Sequence, residues 1–447
     1  MEETATHTGS RPTRDLGWTT VGRLGGIAAF ALVTVALGAS LDLEDLGVVL
    51  FAQTAALFAA TLSAAGEHRI ATLLFADTTA AQRPAAARAW RASGRNRRFT
   101  IGGAAAVALI VALSVAPTPL DGLSSMAIAA LVVTAFALGW QLVLIEALRA
   151  GGNVRDANLA TGRSGGLVTQ ATFLVLLGAA AVASGSGART IETIIVLNAA
   201  ATLVGLVHLA VAYRLLVAGP ATTEFTAPDG AFDRPAATVA SQLVSTAFLQ
   251  ADMLLAGVFL PAAPLGVYGI ARRVAVLLLT PLQILNLAAA PEIARQLQRN
   301  TTATLSRLLT RYAAIALGAS AITLVIALVA PDAVWRLLAD DDPDAARTVL
   351  AILAVGNLVN VATGACGSVL VLAGHQAEVA RQGLIALAVL ALALVVAGLS
   401  RSAPWMAAAS SAAVAARFVW LAHTVEKRTG VATRATMGAR PIQEDPA

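Results

Sequence analysis

Residues Gln250 to Glu292 read QADMLLAGVFLPAAPLGVYGIARRVAVLLLTPLQILNLAAAPE. Two apolar segments, each long enough to enter a bilayer, meet at a short Pro-rich tip, Pro261 to Pro264, with Asp252 on one limb and Arg272 and Arg273 on the other. If both limbs are helices, Asp252 lies about 9 residues before the tip and Arg272 about 8 after it. At 1.5 Å per residue both then sit roughly 12–14 Å from the turn, at one depth inside the hydrocarbon. A charge at that depth costs at least ~2.5 kcal/mol on insertion scales, so these side chains are expected to face a bundle interior or a water-filled cavity and to have partners.

The rest of the chain puts this hairpin in a membrane. Of the 447 residues 57% are hydrophobic and only 13% charged, against about 25% charged in soluble domains, and the mean hydropathy is +0.74. Apolar runs of about 20 residues recur along nearly the whole length, the pattern of a polytopic membrane protein with one membrane domain. A single cysteine, Cys366, excludes a disulfide framework or a cysteine metal cluster. The polar N-terminal stretch lacks the short apolar core of a cleavable signal, so insertion is expected to rely on the first spanning helix.

Twelve spans are expected: Val21–Ser40, Leu46–Gly66, Thr100–Ala116, Ser124–Leu148, Gly166–Ser184, Ile191–Tyr213, Ala236–Leu260, Pro264–Ala290, Tyr312–Ala330, Thr348–Ala373, Gln382–Leu399 and Pro404–His423. Residues 1–20 then form a cytoplasmic tail, 21–217 an N-lobe, 218–235 a Pro-, Gly- and Thr-rich linker, 236–424 a C-lobe and 425–447 a second cytoplasmic tail. With this alternation, 23 of the 31 basic residues fall on the side of the N-terminus. The opposite loops hold Arg189, Arg336, Arg347 and Arg401 beside the acidic runs LDLED and ADDDPD. The positive-inside rule therefore makes both termini cytoplasmic. The net charge of +5 is explained by these loops, not by nucleic acid. The densest of them, Glu67 to Phe99, carries Trp90 among six arginines after Arg69. It suits an orientation signal with an interfacial helix, and a basic stretch with an aromatic also suits anionic headgroups.

The two halves repeat. Gly38 to Ala52 aligns without gaps to Gly257 to Ala271, an offset of 219, with six of the 15 positions identical. A second echo joins Ala150-Gly151 to Ala373-Gly374. A repeat of six helices, an even number, relates the copies by an axis along the membrane normal, and two such bundles leave a central cleft. That arrangement suits an alternating-access transporter.

The string Asp252-Met-Leu-Leu-Ala-Gly257, then Leu265-Gly266-Val267-Tyr268, Ala271-Arg272-Arg273, Pro281 and Pro291-Glu292-Ile293-Ala294 resembles the seventh and eighth helices of polysaccharide flippases. These are the Wzx-type members of the multidrug/oligosaccharidyl-lipid/polysaccharide exporter superfamily. The turn at Leu46-Gly47 and the segments Ala147 to Gly151 and Leu372 to Gln376 look like further turns of that family. The resemblance implies an all-α fold of twelve helices in two parallel six-helix lobes, and a cationic lining that receives the phosphates of a polyprenyl-linked sugar. Arg272 and Arg273 become phosphate contacts, since a guanidinium pairs bidentately with phosphate and keeps its charge. Adjacent helical residues point about 100° apart, so one of them can pair with Asp252 while the other faces the cleft. Mutual neutralisation of Asp252 and one arginine, simply to hold the hairpin, is the competing reading. By the same resemblance Arg23, Gln53, Gln242, Gln250 and Asn286 lie on cleft-lining helices, although Arg23 is also placed to snorkel, as is Arg417.

The function implied is a flippase for a polyprenyl-pyrophosphate-linked oligosaccharide or a related lipid-linked glycan in the plasma membrane. Its partners would be that substrate, the bilayer, and a polysaccharide polymerase or glycosyltransferases. A cation-coupled drug or metabolite antiporter would want a deep carboxylate in the N-terminal half, and helices one, two, three and five contain none. A transport-inactive scaffold of a glycan pathway has no need of Asp252 and the arginine pair at depth. No residue spacing suggests a metal site, a nucleotide loop or any other cofactor, and no enzyme activity is expected.

Overall fold

The computed structural model describes residues 11–64, 66–76, 78–161, 166–184, 190–219, 225–227, 235–299, 301–339 and 342–435. Among the described residues there are helices and no strands. Eleven of the helical stretches are long and apolar enough to cross a membrane, and Leu243–Phe259 is a further, shorter apolar helix. The chain is a multi-pass membrane protein. Its outward faces carry side chains that water would reject: Ile315, Ile322 and Val325 along one helix and Leu384, Leu392 and Val396 along another are exposed, as lipid-facing residues are.

The chain divides into two compact units. The first comprises residues Met1–Leu41 and Val49–Leu243, the second Asp42–Val48 and Val244–Ala447.

In the first unit, α1 (Arg11–Gly38) and, from Val49 on, α2 (Leu43–Ala64) are followed by two short helices, α3 (Glu67–Phe75) and α4 (Arg83–Ala92). Then come α5 (Arg95–Val115), α6 (Ser125–Ala150), the short α7 (Val154–Ala160), α8 (Gly166–Ser184) and α9 (Ile191–Leu216). Helix α6 packs on α9, and α1 on α7 and α8. The α6–α9 seam is held by a hydrogen bond from Gln141 Nε2 to the Thr202 carbonyl at 2.6 Å, the interhelical use that a buried amide in hydrocarbon favours. Contact with α8 across the same region is close enough that a Cβ on Gly205 would meet Thr169 Oγ1 at 2.2 Å.

The basic stretch from Glu67 to Phe99 is more ordered than an orientation signal requires. Glu67, fully buried, accepts from Trp90 Nε1 at 2.6 Å and from Arg98 Nε. Trp90, Phe75 and Tyr213 meet edge to face with centroids 6.0–6.1 Å apart. Phe225 and Ala227, from the stretch expected to be a free linker, pack on this cluster. One carboxylate among many arginines thus pins α3, α4 and the start of α5 together.

The second unit contains α10 (Pro235–Phe259) from Val244 on, α11 (Ala262–Leu277), α12 (Thr280–Gln298), α13 (Thr302–Leu328) and the short α14 (Asp332–Leu338). It continues with α15 (Pro343–Thr363), α16 (Cys366–Leu372), α17 (Gln376–Gly398) and α18 (Ala403–Thr429). Here α15 packs on α18, as α6 does on α9 in the first unit; these are the fourth and sixth spans of each half.

Two spans expected to be continuous are broken. The eighth, expected over Pro264–Ala290, is α11 and α12, interrupted at Leu278-Leu279. Pro281 has no N–H for the carbonyl four residues back and its ring crowds that position. Polar groups from neighbouring helices serve the break: Asn357 Nδ2 donates to the Ala275 carbonyl at 2.9 Å and Ser320 Oγ to that of Leu278 at 2.6 Å. Such rescue is what permits a broken helix within a membrane. The tenth span, expected over Thr348–Ala373, is α15 and α16, separated at Gly364, whose φ is +72°. A Cβ there would stand 2.3 Å from the Thr433 carbonyl oxygen. The residues after α18 are the cause of that crowding. Thr433 Oγ1 donates to the Thr363 carbonyl at 2.8 Å, Ala435 N to that of Ala362 at 2.7 Å and Ala432 N to Ser306 Oγ at 3.0 Å. The first part of the stretch expected to be a C-terminal tail is therefore built into the unit.

The repeat has a counterpart in the packing of the second unit. A Cβ on Gly47 would stand 2.7 Å from the Ala262 carbonyl oxygen, and one on Gly266 would stand 2.0 Å from that of Leu43. The offset of 219 turns Leu43 into Ala262 and Gly47 into Gly266, so the two close approaches are reciprocal within the second unit. The second echo shifts by one residue. The helix-ending glycines with positive φ are Gly152 (+85°) and Gly374 (+83°). Each is followed by the same closing bond, Asn153 N to the Leu148 carbonyl and His375 N to the Leu370 carbonyl, both 2.8 Å, the Schellman pattern.

Candidate functional site

The charged pair of the opening hairpin closes on itself within the second unit. Asp252 on α10 and Arg272 on α11 form an ion pair, Nε to Oδ2, at 2.7 Å. The carboxylate also accepts from Tyr268 Oη at 3.1 Å and, through Oδ1, from the Met253 amide at 2.8 Å. Arg272 Nη2 donates in addition to the Leu249 carbonyl at 2.5 Å and to Gln250 Oε1 at 3.0 Å. The local sequence dictates this clamp. Tyr268 and Arg272 are spaced i, i+4 on one face of α11, and Gln250 and Asp252 bracket the matching level of α10. Tyr268 is fully buried and Gln250 and Asp252 nearly so, so every strong polar atom in the network needs the partner it has.

Of the two adjacent arginines, then, Arg272 is the one that pairs with Asp252. Arg273, half-buried, stands about 100° further round α11. Gln250 spends its side-chain oxygen on Arg272. Asn286 is half-buried on α12 of the same unit, whereas Arg23 on α1 and Gln53 on α2 are half-buried in the first unit. Gln242 lies on α10, with its side chain outside the described residues. The structure thus gathers Asp252, Gln250 and Arg272 into one network and adds Tyr268, which was visible in the sequence only as a turn residue. The i, i+4 spacing to Arg272 was the available signal.

Arg417 on α18 corrects the sequence reading outright. It does not snorkel: it is only 8% exposed, with its guanidinium carbon 4.1 Å from the Phe248 ring centroid and 5.6 Å from that of Phe418. Among the described residues it has no ion-pair partner, and its Nε is buried without a hydrogen bond. The aromatic faces of Phe248 and Phe418 hold the cation in place of a carboxylate. The other uncharged polar residues in the spans largely serve packing, as Gln141 and Asn357 do. His208 Nε2 lies 3.7 Å from Asp156 Oδ1, beyond hydrogen-bond reach. Among the described residues no group of three or more His, Cys, Asp or Glu side chains is placed to hold a metal ion.

The charge inventory inside the spans is one-sided. Arg23, Arg272, Arg273 and Arg417 lie within spanning helices, and Asp252 is the deep carboxylate among the described residues, already bound to one of them. The chemistry available is that of fixed positive charge with amide and hydroxyl groups.

Comparison with known proteins places this arrangement in context. Residues 237–397 match the MatE family. The fold is similar to that of a multidrug resistance MATE family transporter of the MOP superfamily in an inward-facing conformation, with a TM-score of 0.61 and 14% identity over 94% of this chain and 99% of the other. It is similar to a MOP superfamily transporter from Pyrococcus furiosus, described as having a binding pocket of reversed polarity, with a TM-score of 0.63 and 15% identity over 95% and 99% of the two chains. It is also similar to the lipid II flippase MurJ in an inward closed conformation, with a TM-score of 0.64 and 11% identity over 93% and 87%. A search of curated proteins finds no significant match. The proteins matched by structure are transporters and a flippase, and at these identities the likeness establishes the all-α transporter fold of two lobes.

Proposed function

We propose that this chain is a flippase that moves a polyprenyl-pyrophosphate-linked oligosaccharide, or a related lipid-linked glycan, across the plasma membrane by alternating access, with both termini in the cytoplasm. The observation that carries the reading is the excess of intramembrane arginine over intramembrane carboxylate among the described residues of the second unit, Arg272, Arg273 and Arg417 against Asp252. In the second unit Arg272 is neutralised by Asp252, while the aromatic-caged Arg417 is buried and has no ion-pair partner among the described residues, and Arg273 stands next to Arg272 on α11. A buried guanidinium is expensive and persists where an anion uses it. A pyrophosphate offers the planar, bidentate acceptor that guanidinium geometry fits. Asp252, Tyr268 and Gln250 hold the hairpin that presents Arg273, and half-buried amides such as Asn286 and Gln53 suit sugar hydroxyls. A polysaccharide polymerase or glycosyltransferases would be the natural consumers or suppliers of such a substrate.

The fold likeness to multidrug transporters keeps a second reading in play, a cation-coupled antiporter. It needs an intramembrane carboxylate able to release and take up a cation, and the deep one here, Asp252, is already held by three donors. The discriminating experiment is transport by the purified chain in proteoliposomes. Lipid-linked glycan should cross in a protein-dependent way that Arg273→Gln and Arg417→Gln each reduce. Proton- or sodium-driven efflux of a cationic dye in its place would support the antiporter.

A further inference from the structure

A second cluster of arginine, separate from the hairpin, surrounds a cavity of about 710 Å3 in the first unit. Arg88 and Arg91 reach it from α4, Arg95 from the start of α5 and Arg214 from the last turn of α9. Trp140 and Tyr213 supply aromatic wall, and among the described residues the lining contains no carboxylate. Arg95 lies over Trp90 at 4.9 Å and over Trp140 at 5.4 Å from the ring centroids, and its Nε is buried without a hydrogen bond. Among the described residues none of the four arginines forms an ion pair. Arg98 shows the contrast, since its guanidinium is spent on Glu67.

An orientation signal requires only that arginines be numerous on one side of the membrane. It does not require four of them around one cavity, one within 5.4 Å of two tryptophan ring centroids, on a platform pinned by the buried Glu67–Trp90 bond. Four like charges gathered with no carboxylate among the described lining residues repel one another and are relieved by an anion, and guanidinium pairs best with phosphate. The surroundings indicate what carries the phosphate. On α9, Val204, Val207, Val211 and Leu215 form an exposed apolar stripe one step around the helix from the cavity-lining Leu206, Ala210 and Arg214, so the cavity opens beside a lipid-facing surface. A volume of this order accommodates a headgroup.

We infer that this cavity is a binding site for the phosphate headgroup of an anionic lipid, held by Arg88, Arg91, Arg95 and Arg214, with the lipid's chains lying along the apolar stripe of α9. The site is independent of the proposed transport reaction and of Arg273. A basic pocket between membrane helices at a membrane surface is a known solution for anionic headgroups. Here it would tie the α3–α4 platform to the composition of the adjacent leaflet.

The test is native mass spectrometry of the purified full chain, titrated separately with phosphatidylglycerol, phosphatidylcholine and inorganic pyrophosphate. The triple variant Arg88→Gln/Arg91→Gln/Arg214→Gln removes three exposed charges that make no internal bond. At about fivefold per arginine near a charged surface, it should bind phosphatidylglycerol on the order of a hundredfold more weakly, with phosphatidylcholine binding unchanged. The triple lysine variant keeps the charge that sets orientation and should lose only several-fold, which separates site loss from misinsertion. Arg273→Gln should bind phosphatidylglycerol like the wild type even if it transports nothing. Pyrophosphate binding as tight as that of phosphatidylglycerol, with the same dependence on the arginines, would support a phosphate site and assign it to a soluble anion. Equal binding of the two lipids by the wild type, or undiminished phosphatidylglycerol binding by the triple glutamine variant, would overturn the inference.

Discussion

Replacing Asp252 by Asn tests what the charged hairpin is for. The Asp252 and Arg272 side chains are 11% and 13% exposed, and removing one partner of so buried a pair costs roughly 3–5 kcal/mol because the other charge is left uncompensated. Asparagine keeps one acceptor oxygen for Arg272 Nε or Tyr268 Oη but no charge, which places the loss near 3 kcal/mol, the lower end. At about 2–4 °C per kcal/mol for a unit of this size, the unfolding midpoint should fall by roughly 6–12 °C. Removing both charges, as Asp252→Leu/Arg272→Met, takes away the uncompensated ion as well and should recover most of that loss, since apolar replacement of a buried pair is often neutral or better. The assay is tryptophan fluorescence on heating the detergent-solubilised protein, with membrane abundance measured alongside, and the single variants Asp252→Leu and Arg272→Met complete a double-mutant cycle with the wild type and the double variant. Surviving Asp252→Asn protein should retain transport per molecule to within a few-fold, because Arg273 is untouched. Wild-type melting of Asp252→Asn, or a double variant no better than the sum of the singles, would refute the clamp.

Other perturbations have equally definite outcomes. Glu67→Gln leaves Arg98 without its buried counter-charge and should loosen the α3–α4 platform by about 3–5 kcal/mol, seen as a red-shifted Trp90 emission and faster proteolysis between α3 and α5; unchanged emission would contradict the role given to Glu67. Gly266→Ala sets a methyl group 2.0 Å from the Leu43 carbonyl oxygen and should cost about 1–3 kcal/mol as overpacking, and Gly47→Ala, with its contact at 2.7 Å, should cost less. Melting midpoints in the opposite order would argue against the reciprocal contact. Truncation after Gly430 removes the bonds that Ala432, Thr433 and Ala435 make to the second unit and should lower its midpoint measurably, where truncation after Ala435 should not.

Much of this was legible in the chain itself. Apolar runs bounded by charged loops located the spans, and an Asp and an Arg at one depth on two limbs of a hairpin could only meet or face water. What escaped notice was set by contacts between distant residues. Glu67 finds Trp90 and Arg98 across 23 and 31 residues, a pairing no periodicity encodes, so the basic stretch read as a loop. Arg417 reads as a cation near a helix end until Phe248, 169 positions earlier in the chain, is seen beneath its guanidinium. The break at Leu278-Leu279 was foreshadowed by Pro281, but its toleration depends on Ser320 and Asn357. The break at Gly364 depends on a strand of chain that returns after α18. Sequence patterns report how a segment meets its solvent, and they are silent on which particular neighbour satisfies a buried group.

The central claim, that fixed positive charge serves a lipid-linked phosphate, is tested most directly by the transbilayer movement of a synthetic fluorescent polyprenyl-pyrophosphate oligosaccharide in proteoliposomes of the purified chain. The account predicts protein-dependent flipping that falls at least tenfold in Arg273→Gln while its melting midpoint stays within about 2 °C of the wild type, less than the shift expected for 1 kcal/mol. Flipping at the wild-type rate by Arg273→Gln, or no flipping by the wild type alongside gradient-driven export of a cationic dye, would contradict it.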